Sequence, residues 1–290
     1  MLRIALWLLL VLAVTVAIYA PRYWLAQPIQ PSAQPIDSQS IEQLIEQQPL
    51  MPVYTEVPDF NKYLDVRDKK QAFFEFLAPL VRAENAIIEE QRNNLIALYH
   101  RWQGDSNALD SDDRELLEQL AIEYRVEFDM NENSDMFTLL LRRVDVVPET
   151  LVLVQAANES GWGTSRFALE GLNFFGQWCF RRGCGIVPEN RPDGMNHEVR
   201  IFKSVNASIR SYLRNINTHA AYLELRLLRE QRRAEGKDIR ALDLTPGLLS
   251  YSERGEDYID ELNAMIRVNR PMIVELIEAI EPTNSNLPPE

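Results

Sequence analysis

The stretch that decides the fold is PETLVLVQAANESGWG, residues 148–163. Proline suits the start of a helix, where its missing N–H costs nothing, and Glu149 complements the positive end of the helix dipole. Residues 150–157 are apolar almost all round, as in a helix sunk in a domain core. Their β-branched side chains make a buried strand the competing reading. Gly161 and Gly163 then stop the helix. At that end a carboxylate, Glu159, stands three residues before Trp162.

Downstream, NFFGQWCFRRGCG (residues 173–185) brings aromatics and both cysteines of the chain. Gly183, Gly185, Pro188, Pro192 and Gly194 punctuate the next stretch, and HEVRIF (residues 197–202) alternates. Residues 177–202 therefore read as an irregular β-hairpin or small β-lobe. Helices return at about 204–221, 222–234, 245–249, 256–269 and 271–280. Residues 282–290, PTNSNLPPE, read as a disordered tail.

Upstream, Phe73, Phe76, Leu77, Leu80 and Val81 recur at helical steps within 67–103. Pro79 is expected to kink or divide that helix. A loop follows, then a helix capped by Ser111 and running to about 128, and a short helix over 134–146. Residues 61–133 read as a helical region, and 134–281 as a second domain that carries the stretch above. Residues 25–60 are rich in Pro and Gln and read as an extended linker.

The N-terminus, MLRIALWLLLVLAVTVAIYAPRYW, is free of charge over residues 4–20. As a helix it reaches roughly 25 Å, near the lower limit for a bilayer core. Ile18 and Pro21 make a poor cleavage site. Residues 1–24 therefore read as an uncleaved membrane anchor, with a removed signal peptide as the alternative. Either way the bulk of the chain is expected to be exported, on the periplasmic face of the inner membrane or free in the periplasm. In an exported chain Cys179 and Cys184 read as a small disulfide loop, with two free thiols the alternative. The spacing fits no zinc finger, and no metal or cofactor is called for.

The formal charge is -13, but residues 146–280 hold 17 Lys+Arg against 18 Asp+Glu. The acidity lies elsewhere in the chain. Such a near-neutral balance argues against a nucleic-acid partner, whose binder would be expected to show a basic face.

Placed at a helix carboxyl end among apolar neighbours, Glu159 meets two effects that raise a carboxyl pKa: the negative pole of the dipole and desolvation. A carboxyl still protonated near neutral pH is what general-acid cleavage of a glycosidic bond requires. A solvated surface acid is the plain alternative.

QAANESGWGTSRFA followed by NFFG resembles the signature of the bacterial endo-β-N-acetylglucosaminidase family of peptidoglycan hydrolases. FGQWCFRRGCG, HEVRIFKS and YSERGEDYIDEL resemble its Bax-type branch more narrowly. The likeness covers roughly 135–270 and is most specific over 155–185. It implies a mainly α, lysozyme-like helical domain with a small β-hairpin lobe, acting on peptidoglycan glycan strands after N-acetylglucosamine. It also implies Glu159 as the acid and Tyr258 as the family's tyrosine, with Tyr251 the second choice. For the second carboxylate Glu198 is ranked ahead of Glu189, and the substrate's own 2-acetamido group is the third option. Trp162, Asn173, Trp178 and Tyr251 are expected to touch the sugar. A lytic transglycosylase and a non-catalytic glycan-binding scaffold are the competing functions.

Overall fold

The structure, a computed structural model, describes residues 53–280 other than 106, 132, 133, 190, 192 and 193. The apolar N-terminal segment, residues 25–52 of the Pro/Gln-rich linker and the tail lie outside the described residues. Among the described residues no helix is long and apolar enough to cross a membrane.

The decisive stretch is a helix. It spans Glu149–Ser160, with Pro148 as N-cap residue, its carbonyl accepting from the amides of Leu151 and Val152. Every residue from 151 to 157 is buried. A strand of that length would need partners on both edges; a helix satisfies its own backbone while burying all its faces.

Numbered in chain order, the helices are α1 (Val66–Gly104), α2 (Ser111–Glu123), α3 (Met136–Arg143), α4 (Glu149–Ser160), α5 (Arg166–Gly171), α6 (Val205–Thr218), α7 (Leu223–Ala234), α8 (Ala241–Leu244) and α9 (Glu256–Ile280). Between α5 and α6 lie β1 (Trp178–Cys179), β2 (Gly185–Ile186) and β3 (Glu198–Arg200). The fold is mainly α with a small β-lobe, as expected. Instead of a hairpin, the lobe is a three-stranded antiparallel sheet in the order β1-β3-β2. Trp178 pairs with Val199, Cys179 with Glu198, and Gly185 with Arg200. A Cβ on Gly185 would come within 2.0 Å of the Val199 carbonyl, so only glycine lets β2 approach.

Neither Pro79 nor Pro271 divides a helix. α1 runs through Pro79, and one helix, not two, carries Pro271. Each proline removes one amide donor, so the carbonyls of the exposed residues Glu75 and Arg267 lose the donor four residues on. Burial of Leu77, Ala78 and Leu80 in α1, and of Ile266 and Ile273 in α9, holds each helix together across its proline. The cap of α2 is Asp110, not Ser111: its side chain accepts from the Asp113 amide, and Asp113 returns the bond. α2 also ends earlier than expected, at Glu123.

α4 lies in a core that includes Phe60, Phe73, Phe74 and Leu77 from upstream, Ile209 and Tyr212 of α6, and Leu262 and Ile266 of α9. A second core gathers Leu95 and Leu98 of α1 with Leu117 of α2 and Phe137 and Leu140 of α3. α1 thus serves both. Between α3 and α4 the buried Asp145 takes the Arg233 guanidinium, with Arg92 and the fully buried Arg229 at 3.5 and 3.4 Å.

Candidate active site

The end of α4 is built by three consecutive residues in the left-handed region: Gly161 (φ 58°), Trp162 (φ 61°) and Gly163 (φ 74°). Ser160 closes the turn, its hydroxyl donating to the Ala156 carbonyl and accepting from the Gly163 amide at 2.8 Å. A Cβ on Gly163 would sit 2.7 Å from the Phe60 ring. Trp162 adopts a conformation that L-residues avoid, and aromatic packing holds it there. Its indole meets Phe73 and Phe74 edge-on, with the Lys70 ammonium 4.8 Å from the ring centre. It serves chiefly as a wedge between α4 and α1.

The turn leaves Glu159 half-buried in the last turn of α4. Its Oε1 accepts from the Tyr258 hydroxyl at 3.0 Å. The Tyr258 oxygen accepts in turn from Gln155 Nε2 at 3.0 Å, and Gln155 Oε1 accepts from the Tyr212 hydroxyl in a short bond. The relay has one direction, Tyr212 to Gln155 to Tyr258 to Glu159. Because the amide donates to Tyr258, the single phenolic proton of Tyr258 goes to Glu159. Oε1 is therefore an acceptor, and the proton of a neutral Glu159 resides on Oε2. That oxygen faces Gly176, where a Cβ would lie 3.9 Å away.

Burial raises the Glu159 pKa above the usual carboxylate range; the Tyr258 and Asn158 hydrogen bonds pull it partly back, and the charge of Glu261 pushes it up again. The Tyr258 hydroxyl is itself raised, first by burial and then by the Glu159 charge. Tyr251 stacks on Tyr258 with ring centres 5.6 Å apart and donates to the Phe175 carbonyl at 3.1 Å. Its pKa rises for the same two reasons.

The structure brings Glu159, Tyr258 and Tyr251 together. Phe174 and Phe175 are core residues, Phe175 stacked on Tyr212 at 4.0 Å. Asn173 differs from its expected role. Its side chain makes four hydrogen bonds, to the carbonyls of Gln177 and Arg200 and from the amides of Phe175 and Gln177. An amide side chain has no further capacity, so Asn173 pins the loop to the β-lobe and offers nothing to a sugar. Trp178 is 51% exposed, one face stacked on His197 at 4.0 Å and the other open.

Glu198 is also engaged differently from the expectation. Its two oxygens accept from the Gly183 and Gly185 amides at 2.9 and 2.8 Å, which hold its carboxyl below the usual range. It straps the loop closed by the Cys179–Cys184 disulfide, which the structure contains. Glu189 is exposed and lies 3.7 Å from Arg166. Among the described residues neither makes a bond to Glu159.

Three residues of the site escaped the sequence reading. Gln155 had a signal: a polar side chain in an apolar helix must find buried partners. Tyr212 is its partner and carried no signal of its own. Glu261, paired with Arg254 at 2.6 Å, follows Tyr258 by three residues and so shares its face of α9.

With this geometry in place, the chain can be set against known proteins. The family described as mannosyl-glycoprotein endo-beta-N-acetylglucosaminidase matches residues 134–270. Protein bax of Escherichia coli (strain K12) is 34% identical over 217 residues, which cover 75% of this chain and 76% of that protein.

The chain belongs to the Bax-type glucosaminidase family.

No solved structure matches it. Membership in the Bax-type family makes a glycan-cleaving, peptidoglycan-related hydrolase role the coarse reading of this chain. The matched segment runs from just before α3 into α9 and so contains α4, the β-lobe and Tyr258.

Proposed function

We propose that the protein hydrolyses β-1,4 bonds of peptidoglycan glycan strands after N-acetylglucosamine, with Glu159 as general acid. The observation that carries this is the desolvated carboxyl whose Oε1 is tied to Tyr258 and whose proton is thereby left on Oε2. That proton passes to the glycosidic oxygen as the bond to C1 breaks. With both Glu198 oxygens strapped to backbone amides and Glu189 out in solvent, the attacking group is the substrate's own 2-acetamido oxygen. It forms a bond to C1 as the leaving sugar departs with the proton of Glu159. Water then opens the ring so formed, giving its proton back to Glu159. Two displacements at C1 retain the anomeric configuration.

The test is digestion of purified peptidoglycan by the wild type and by Glu159→Gln, with mass spectrometry of the products. Reducing N-acetylglucosamine ends from the wild type are expected, with a rate loss of at least about a hundredfold in the variant. Anhydro-muramyl ends would instead identify a lytic transglycosylase. Equal product from both proteins would leave Glu159 without a catalytic role, and no product from either would favour a glycan-binding scaffold.

A further inference from the structure

In a chain whose formal charge is -13, one groove of about 680 Å³ is lined by Arg125, Arg200, Arg210 and Arg214 with Trp178 and His219. Glu84 neutralises Arg210 through two bonds of 2.8 Å, and Glu123 pairs with Arg214. Arg125 and Arg200 are exposed and, among the described residues, carry no ion pair. Arg125 also holds φ 57°, a left-handed conformation at the end of α2 where glycine is the ordinary residue.

The groove adjoins the acid. Gln177 lines it and directly follows Gly176, the residue that faces Glu159 Oε2. His219 lines it too, its ring 5.9 Å from that of Tyr222, which in turn lies 6.0 Å from the Tyr251 ring.

A glycan backbone gives two unpaired guanidinium groups nothing to neutralise. The peptide stems that hang from it carry free carboxylates, which match the planar fork of arginine. We propose that this groove binds the carboxylate-bearing peptide stems of the strand being cut, so that the protein favours peptide-bearing over peptide-free glycan. The proposal rests on the glycan-strand reading above, but it can fail separately.

The test measures binding by the full chain carrying Glu159→Gln, so that its result does not depend on cleavage. Three strand preparations serve as probes: native, stripped of peptides by an amidase, and native with carboxylates blocked as amides. Native strands are expected to bind about fivefold tighter than either of the others, the scale of two exposed charge pairs, and less so at high salt. Adding Arg125→Gln and Arg200→Gln should erase the difference. Those two substitutions, placed in the otherwise wild-type chain, should leave the cleavage rate on peptide-free strands unchanged. Equal binding to all three preparations overturns the proposal, as does a preference that survives loss of both arginines. Binding to phosphatidylglycerol vesicles that depends on the same arginines and exceeds binding to strands would also overturn it, in favour of a membrane surface.

Discussion

At the scale of single residues, two neighbours push the Glu159 carboxyl in opposite directions. The Tyr258 hydroxyl donates to the ionised form and lowers its pKa; the Glu261 charge opposes ionisation and raises it. A general acid works while protonated, so kcat/KM falls as pH rises through its pKa. Tyr258→Phe should therefore move the alkaline limb of the pH profile upward, and Glu261→Gln should move it downward. The side chain of Glu261 is 42% exposed, so its shift should shrink with added salt while that of Tyr258 persists. Both limbs moving the same way would mean that Glu159 is not the titrating acid. The same raised pKa bears on stability. Its contribution is complete below the unfolded value and is lost as pH rises through the folded one. Glutamine imitates the neutral acid, so Glu159→Gln should melt higher than the wild type in alkaline buffer and match it under acid conditions. Glu159 itself was legible in the sequence because a helix end, a glycine pair and a tryptophan converge on it. Gln155 and Tyr212 were not. Their roles arise from side chains 57 residues apart that meet only in the folded core.

Among the elements, the β-lobe shows how a local pattern can mislead about chemistry while predicting shape. Glycines, prolines and alternation in 177–202 pointed to strands, and strands are there. The same regularity recommended Glu198 for catalysis, yet its position on β3, opposite Cys179, aims it at the backbone of the disulfide loop. The two prolines that leave their helices undivided share a cause: a sequence shows the missing amide but not the buried neighbours that compensate for it. The lobe yields a separable prediction. Replacing Cys179 and Cys184 by alanine releases a short closed loop and should cost about 2 kcal/mol. Hydrogen exchange should then speed up at the Gly183 and Gly185 amides while those of α4 stay protected. Glu198→Gln should produce the same local loosening and retain hydrolysis. Loss of hydrolysis with both amides still protected would return Glu198 to the role of second carboxylate.

For the molecule as a whole, the decisive question is whether the matched segment can stand without what precedes it. The division at residue 133 suits the sequence, since the motifs begin after it. The packing runs across it. Phe60 occupies the space that Gly163 leaves, and Phe73 and Phe74 grip Trp162 from α1. The strained turn that presents Glu159 is thus held from outside the segment that carries the motif. Further along α1, Arg82 reaches Glu149 at the start of α4 and the Ile277 carbonyl near the end of α9. Truncating one such phenylalanine to alanine typically costs about 3–5 kcal/mol, and a whole domain is stable by only about 5–15 kcal/mol. A chain starting at residue 134 loses all three phenylalanines together and bares Trp162 to water. It should therefore lack a cooperative melting transition and bind a hydrophobic dye, whereas residues 53–290 should melt cooperatively. Phe73→Ala in the longer chain should fall between them, destabilised by about 3–5 kcal/mol, with less activity than its folded fraction explains because the turn beneath Glu159 is loosened. A cooperative, active fragment from 134 onward would show that α4 and the β-lobe hold Glu159 unaided, and that α1 only covers them.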